Sequence, residues 1–292
     1  MKTDKFEKSL KFAIILTFVF FIVEIIGAIV SGSLSLLGDA GHMFRDVFAL
    51  LISYSAISLA KRLPTKTKTF GYHRVEIFGA FLNGLLLIVM SIWIFWEAYI
   101  RYFSPKPIDS IIMFIIALIG LVVNILIVFK LHGSHDVNIR SAFLHVLTDA
   151  ISSFAVIAAS IWIFFTNQTI IDSILGMAIG FFILYSAVII MKDTVRILLE
   201  YAPKDVDFDE VVKDIENVNG VDGVHDVHLW SLCSNINILD AHIYTQENEM
   251  KNIELIKKEI KKRLKKYNIK HATLEFECDE CVIHSKCINI CH

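Results

Sequence analysis

Two segments of the chain place a histidine and an aspartate four residues apart, His42-Met-Phe-Arg-Asp46 and His145-Val-Leu-Thr-Asp149. On a helix that spacing puts both side chains on one face. Two imidazoles and two carboxylates make a four-ligand nitrogen and oxygen set. It suits tetrahedral Zn²⁺ and also accepts Co²⁺ or Cd²⁺, whereas octahedral oxygen cages suit Mg²⁺ or Mn²⁺. Both segments lie inside long apolar stretches, where inserting one aspartate costs about 2.5 to 3.5 kcal/mol. One such pair alone reads equally well as a buried network holding two helices together. Two matching pairs favour a ligand that neutralises them.

The elements that must position these residues are membrane helices. The 292 residues are 55% hydrophobic and 20% charged, with a mean hydropathy of +0.60, a balance that soluble globular chains rarely show. A spanning helix needs about 20 mostly apolar residues, and six windows qualify, at 12–30, 36–60, 75–99, 110–131, 138–165 and 170–191. The rise of a helix puts Asp46 and Asp149 each roughly 15 Å inside its own helix end, near the midplane. The apolar run after Lys2, Lys5, Lys8 and Lys11 is too long for a signal-peptide core and reads as a retained first span. Those lysines, with Lys61, Arg62, Lys66, Lys68, Arg74, Lys130 and Arg140, fall on one side of the bundle; the opposite loops hold only Arg101 and Lys106. The basic side is expected to be cytosolic, with both termini on it. The net charge of −2 gives no overall basic field to attract nucleic acid.

The charge distribution divides the chain near Glu200 into a bilayer part, 1–200, and a water-soluble part, 201–292. The latter predicts a helix over 208–217, a tight hairpin of strands at 221–233 and 235–245, an amphipathic helix over 250–267 and a third strand at 271–278. The expected fold is therefore a six-helix membrane bundle with a small α+β domain of αββαβ order. Simple alternation puts His225 and His228 on opposite faces of the first strand, so that both cannot serve one site unless the strand bends. Cys278, Cys281, Cys287 and Cys291 crowd the last fifteen residues with His284 and His292. Such a cluster is a disulfide set or a metal site, and a cytosolic tail keeps it reduced. Cys278-Asp-Glu-Cys281 has the spacing by which two thiolates hold one zinc. Cys287, Cys291, His284 and His292 offer a self-contained alternative, and a loose metal-capturing tract is a third.

Ser33 to Asp46, Phe70-Gly-Tyr-His-Arg-Val-Glu76 and Arg140 to Asp149 resemble the signature stretches of the cation diffusion facilitator family, in its zinc, cobalt and cadmium exporting branch. The resemblance covers nearly the whole chain. It implies that His42, Asp46, His145 and Asp149 form the transport site, that the soluble domain is ferredoxin-like, and that the protein is a homodimer. It also implies a cytosolic regulatory zinc site at His225, His242 and Glu277, with His228 left to packing or hydrogen bonding beside Trp230. Two departures stand out: Arg45 occupies a position usually small or neutral, and the loop between the fourth and fifth spans offers only His132 and His135 where relatives are often histidine-rich.

No GxxxxGK[ST] stretch for ATP occurs, so the driving energy is expected to be a gradient. Ligation needs neutral imidazole and ionised carboxylate, so metal and protons compete for the same residues and proton antiport follows. Glu24, Asn83, Asn124 and Asp172 are read as interhelical hydrogen-bonding or capping groups, with a proton route as the alternative. Two other functions fit the residues less well. An intramembrane metallohydrolase lacks HExxH and a glutamate base beside the histidines, and a non-transporting metal sensor or scaffold does not need an intact tetrad. The expected setting is a microbial cell membrane, with divalent metal, protons and the lipid bilayer as partners.

Overall fold

A computed structural model of the chain describes residues 2–60, 64–131, 137–234 and 236–277. Within its helices, the side chains of 2–14, 46, 49–50, 53–60, 127–131 and 137–148 lie outside that description. So does the loop containing His132 and His135. Six long helices come first: α1 (Lys2–Ser31), α2 (Leu34–Ala60), α3 (Arg74–Phe103), α4 (Ser110–Leu131), α5 (Val137–Thr166) and α6 (Ile170–Leu198). The shortest has 22 residues, which at 1.5 Å per residue spans a hydrocarbon core of about 30 Å. Among the described residues alone, 74–103, 149–166 and 170–198 are long and apolar enough to cross a membrane, and 15–31 and 110–126 are shorter apolar helices.

Contacts divide the chain into two compact units, one of 1–55 with 80–191 and one of 56–79 with 192–292. The first buries polar side chains within an apolar core and exposes large apolar ones. Leu34, Leu36, Leu87, Ile94 and Ile183 pack inside together with Glu24, Asp39, Asn83, Asn124 and Asp172, while Trp96, Tyr99, Phe165, Phe181, Phe182 and Tyr185 are exposed, as a bilayer solvent selects. Helices α1 and α4 approach closely through glycines. A β-carbon at Gly27 would stand 2.6 Å from Ile116, and one at Gly120 2.6 Å from Phe20, the small-residue contact by which membrane helices pack.

The amino terminus of α2 is capped from another helix. Asp172, fully buried in the first turn of α6, accepts hydrogen bonds from Ser33 Oγ (2.6 Å), Leu34 N (2.7 Å), Ser35 N (3.1 Å) and Ser35 Oγ (2.6 Å). These include the orphan amides that every helix start must satisfy, and a carboxylate there also meets the positive end of the helix dipole. Arg101 closes the knot, donating to Gly32 O at 2.6 Å with its Nη1 3.8 Å from Asp172 Oδ2. Asp172 is thus the capping group that the sequence suggests. Asp172→Ala leaves these donors buried without an acceptor and is expected to cost about 3 kcal/mol. The check is the thermal unfolding midpoint in detergent, where Asp172→Asn should lose less.

The second unit contains α7 (Phe208–Glu216), β1 (Gly223–Cys233), β2 (Ile236–Tyr244), α8 (Met250–Leu264), a 3₁₀ turn (Lys265–Tyr267) and β3 (Ile269–Glu277). Asp207 caps α7 by accepting from Asp209 N and Glu210 N. The sheet order is β1-β2-β3, with β1 antiparallel and β3 parallel to β2. This is the expected αββαβ order. The last strand starts two residues earlier than its hydrophobic pattern suggests, because Asn268 in a left-handed conformation (φ 57°) ends the helical stretch and turns the chain directly into the sheet. One face of the sheet packs on both helices through Val212, Ile215, Leu239, Ile243, Ile260 and Leu264. Asp214, held below the usual carboxylate range mainly by its hydrogen bond with Lys266, also accepts from Tyr267 and ties α7 to the end of α8.

Candidate functional site

Helices α2 and α5 bring His42 and Asp149 together, with His42 Nδ1 3.7 Å from Asp149 Oδ1 and each side chain about one-fifth exposed. Asp46 follows one turn later on α2 and His145 comes one turn earlier on α5; their backbones are helical and their side chains lie outside the described ones. A half-buried imidazole beside a carboxylate is a metal-ligand pair or a charge-assisted hydrogen-bond pair, depending on which of metal or proton occupies it. Arg45 points elsewhere, as its angle on α2 requires, and donates from Nη1 to Ser186 Oγ of α6 at 2.6 Å. Asp39, which the sequence reading passed over, sits one turn before His42. It accepts from Ser152 Oγ at 2.6 Å, and that hydroxyl also lies 3.0 Å from the backbone oxygen of Asp149. The i, i+3 relation of Asp39 to His42 was the available signal.

The second candidate centre is on the sheet face opposite the helices. His225 of β1 pairs directly with His242 of β2, their ring centroids being 5.4 Å apart. Glu277, at the end of β3, joins them: its Oε2 is 3.1 Å from His225 Nε2 and its Oε1 2.7 Å from His242 Nδ1. All three offer ligand atoms within 4.8 Å of one another. Two imidazoles and a carboxylate match a zinc donor set, so the residues present fit the metal that the resemblance implies.

Simple alternation fails in β1. The register runs from His225↔His242 to His228↔Asp240, three residues against two, and Asp226 takes a positive φ of 47°. This bulge carries His225 and His228 to the same face, while Val224, Val227 and Leu229 keep to the core. Asp226 then lies between histidines, Oδ1 3.3 Å from His228 Nε2 and Oδ2 3.7 Å from His242 Nε2. His228 therefore meets a carboxylate. Cys278 and Cys281 follow Glu277 immediately and lie outside the described residues.

Comparison with known proteins adds two family matches, to the cation efflux transmembrane domain over residues 10–199 and to the cytoplasmic domain of cation efflux proteins over 203–278. The chain is 40% identical to the metal cation efflux system protein CzcD of Cupriavidus metallidurans, over 94% of this chain and 88% of that one. It is 36% identical to the zinc transporter ZitB of Escherichia coli, over 95% and 90%. It is 34% identical to a cadmium, cobalt and zinc/H(+)-K(+) antiporter of Bacillus subtilis, over 94% and 89%.

Proposed function

The chain belongs to the cation efflux family, and we propose that it exports a divalent transition metal, zinc first, from the cytosol in exchange for protons. As a member it is a membrane transporter and not an enzyme. The observation that carries the finer reading is the approach of His42 to Asp149 across α2 and α5. Successive spans alternate in direction, so α2 and α5 are antiparallel. With His42 beside Asp149, Asp46 and His145 belong to the next layer of the same site. Four ligands spread over two turns of two helices form a cage whose shape depends on how those helices meet, and rocking them alternates its access.

Proton coupling follows from the donor set. With metal bound, both histidines are neutral and both carboxylates ionised; protons that claim the same atoms release the metal. The Bacillus subtilis relative is named an antiporter, which supports this reading, and the loop charges support cytosolic termini. In the second unit, His225, His242 and Glu277 would hold a regulatory zinc, to which Cys278 and Cys281 are adjacent in sequence. That unit's match to the cytoplasmic domain of cation efflux proteins supports a homodimer.

The test is reconstitution in liposomes with an imposed pH gradient, a zinc-sensitive dye inside and a pH dye as the second readout. Zinc uptake that rises with the gradient, accompanied by counter-movement of protons, is the expected result. Zinc binding without flux would favour a sensor or scaffold instead.

A further inference from the structure

The second unit carries a basic groove that neither candidate metal centre uses. Three buried side chains, Leu264 at the end of α8 and Ile269 and Ala272 at the start of β3, floor a groove of about 470 Å³. Lys261, Lys265 and Lys270 rim it, all three exposed. The neighbouring carboxylates are already taken: Glu259 pairs with Lys262 and Arg263, and Glu210 and Asp214 pair with Lys266. Among the described residues the three rim lysines form no ion pair. Over residues 201–292 acidic side chains outnumber basic ones, so the groove is a local positive field on a domain of the opposite sign.

Simple structural roles account for these lysines singly but not together. A lysine at the end of a helix complements its dipole, which suffices for Lys261 and Lys265. A lysine on an edge strand discourages stray strand pairing, which suffices for Lys270, since β3 is an outer strand of the sheet. Neither role brings three uncompensated cations to the rim of one groove with an apolar floor. That combination suits a partner that joins an anionic group to a carbon-rich body.

The groove also adjoins the ends of membrane spans that belong to the same compact unit. His271, which lines it, meets Phe70 edge to face with ring centroids 5.7 Å apart. Phe70 lies four residues before α3, whose 30 residues span about 45 Å, the thickness of a bilayer with its headgroups. The loop and the groove beside it therefore lie at headgroup level, on the side that the loop charges assign to the cytosol. Lys66 and Lys68 stand exposed in that loop and extend the basic field. We infer that the groove binds the headgroup of an anionic phospholipid of the cytosolic leaflet, its phosphate meeting Lys261, Lys265 and Lys270 and its carbon skeleton lying against the apolar floor. The inference holds whichever metal is moved and whether or not protons move with it. Each lysine near an anionic membrane surface is worth about fivefold in binding, so the three together are worth about 100-fold.

The experiment uses the full-length protein in phosphatidylcholine liposomes containing a small fraction of phosphatidylglycerol with a photoreactive headgroup. Irradiation, digestion and mass spectrometry read which segments are labelled, with unlabelled phosphatidylglycerol as competitor. Label is expected on 261–272 and is displaced by the competitor. A variant carrying Lys261→Gln, Lys265→Gln and Lys270→Gln should lose that label by about tenfold or more while keeping the wild-type thermal midpoint, because exposed side chains are exchanged. If the triple variant does not fold, Lys270→Gln alone should lose about fivefold. Equal labelling of wild type and folded variant overturns the inference, as does label confined to other segments. Equal labelling by a photoreactive phosphatidylcholine overturns it as well, since the groove would then only be near the bilayer. Inorganic phosphate that displaces the label where excess phosphatidylglycerol does not would make the groove a site for soluble phosphate instead.

Discussion

Asp149→Ala is expected to reduce zinc flux by on the order of a thousandfold, to the background of empty liposomes. Its Oδ1 lies 3.7 Å from His42 Nδ1, so the carboxylate sits where it would share an ion with that imidazole. A pair of unit charges about 4 Å apart at an effective dielectric of 20 is worth about 4 kcal/mol, and each 1.4 kcal/mol is a factor of ten in affinity. Losing it also leaves a divalent ion with one carboxylate rather than two in a poorly hydrated site, a net charge that the bilayer penalises again. The measurement is zinc-dye response at saturating gradient, with the thermal midpoint as control for folding. An Asp149→Ala protein that folds and keeps more than a tenth of wild-type flux removes Asp149 from the transport site.

The intramembrane residues were legible because the rules that place them are local. A histidine and an aspartate four apart share a helix face whatever surrounds them, and an aspartate deep in an apolar run needs a reason to be there. The six helices and the αββαβ order follow from hydrophobic period and length in the same way. Asp172 was recognisable as a cap, but its four donors come from a segment 137 or more residues away, which no local pattern announces.

His228 meets a carboxylate, as a hydrogen-bonding role allows; what fails is the simple alternation that put it on the face opposite His225. Period-two alternation assumes one residue per step on each strand, and the bulge at Asp226 adds a step to β1 alone. The signal was weak but present. Val224, Val227 and Leu229 are apolar at spacings of three and two, which an unbroken strand cannot bury on one face, whereas a strand with one inserted residue can. The same insertion brings an aspartate and a second histidine to the face that carries His225 and His242.

His242→Ala should lower the zinc affinity of the cytosolic site by at least about 100-fold, more than the loss usual for outer-shell partners, while leaving maximal zinc flux within a few-fold. Glu277 places one oxygen 2.7 Å from His242 Nδ1 and the other 3.1 Å from His225 Nε2, so the three side chains converge where one zinc ion would be held without moving the strands. Removing His242 leaves two ligands, His225 and Glu277, that cannot close a tetrahedral site alone. Counting zinc per chain by equilibrium dialysis should show one ion fewer than in the wild type, and the Asp149→Ala variant should lose a different one. If His242→Ala binds the wild-type number of ions at wild-type affinity, the sheet trio is a hydrogen-bond cluster. If instead it loses all flux along with its ion, the metal it holds is required for turnover and not merely for tuning it.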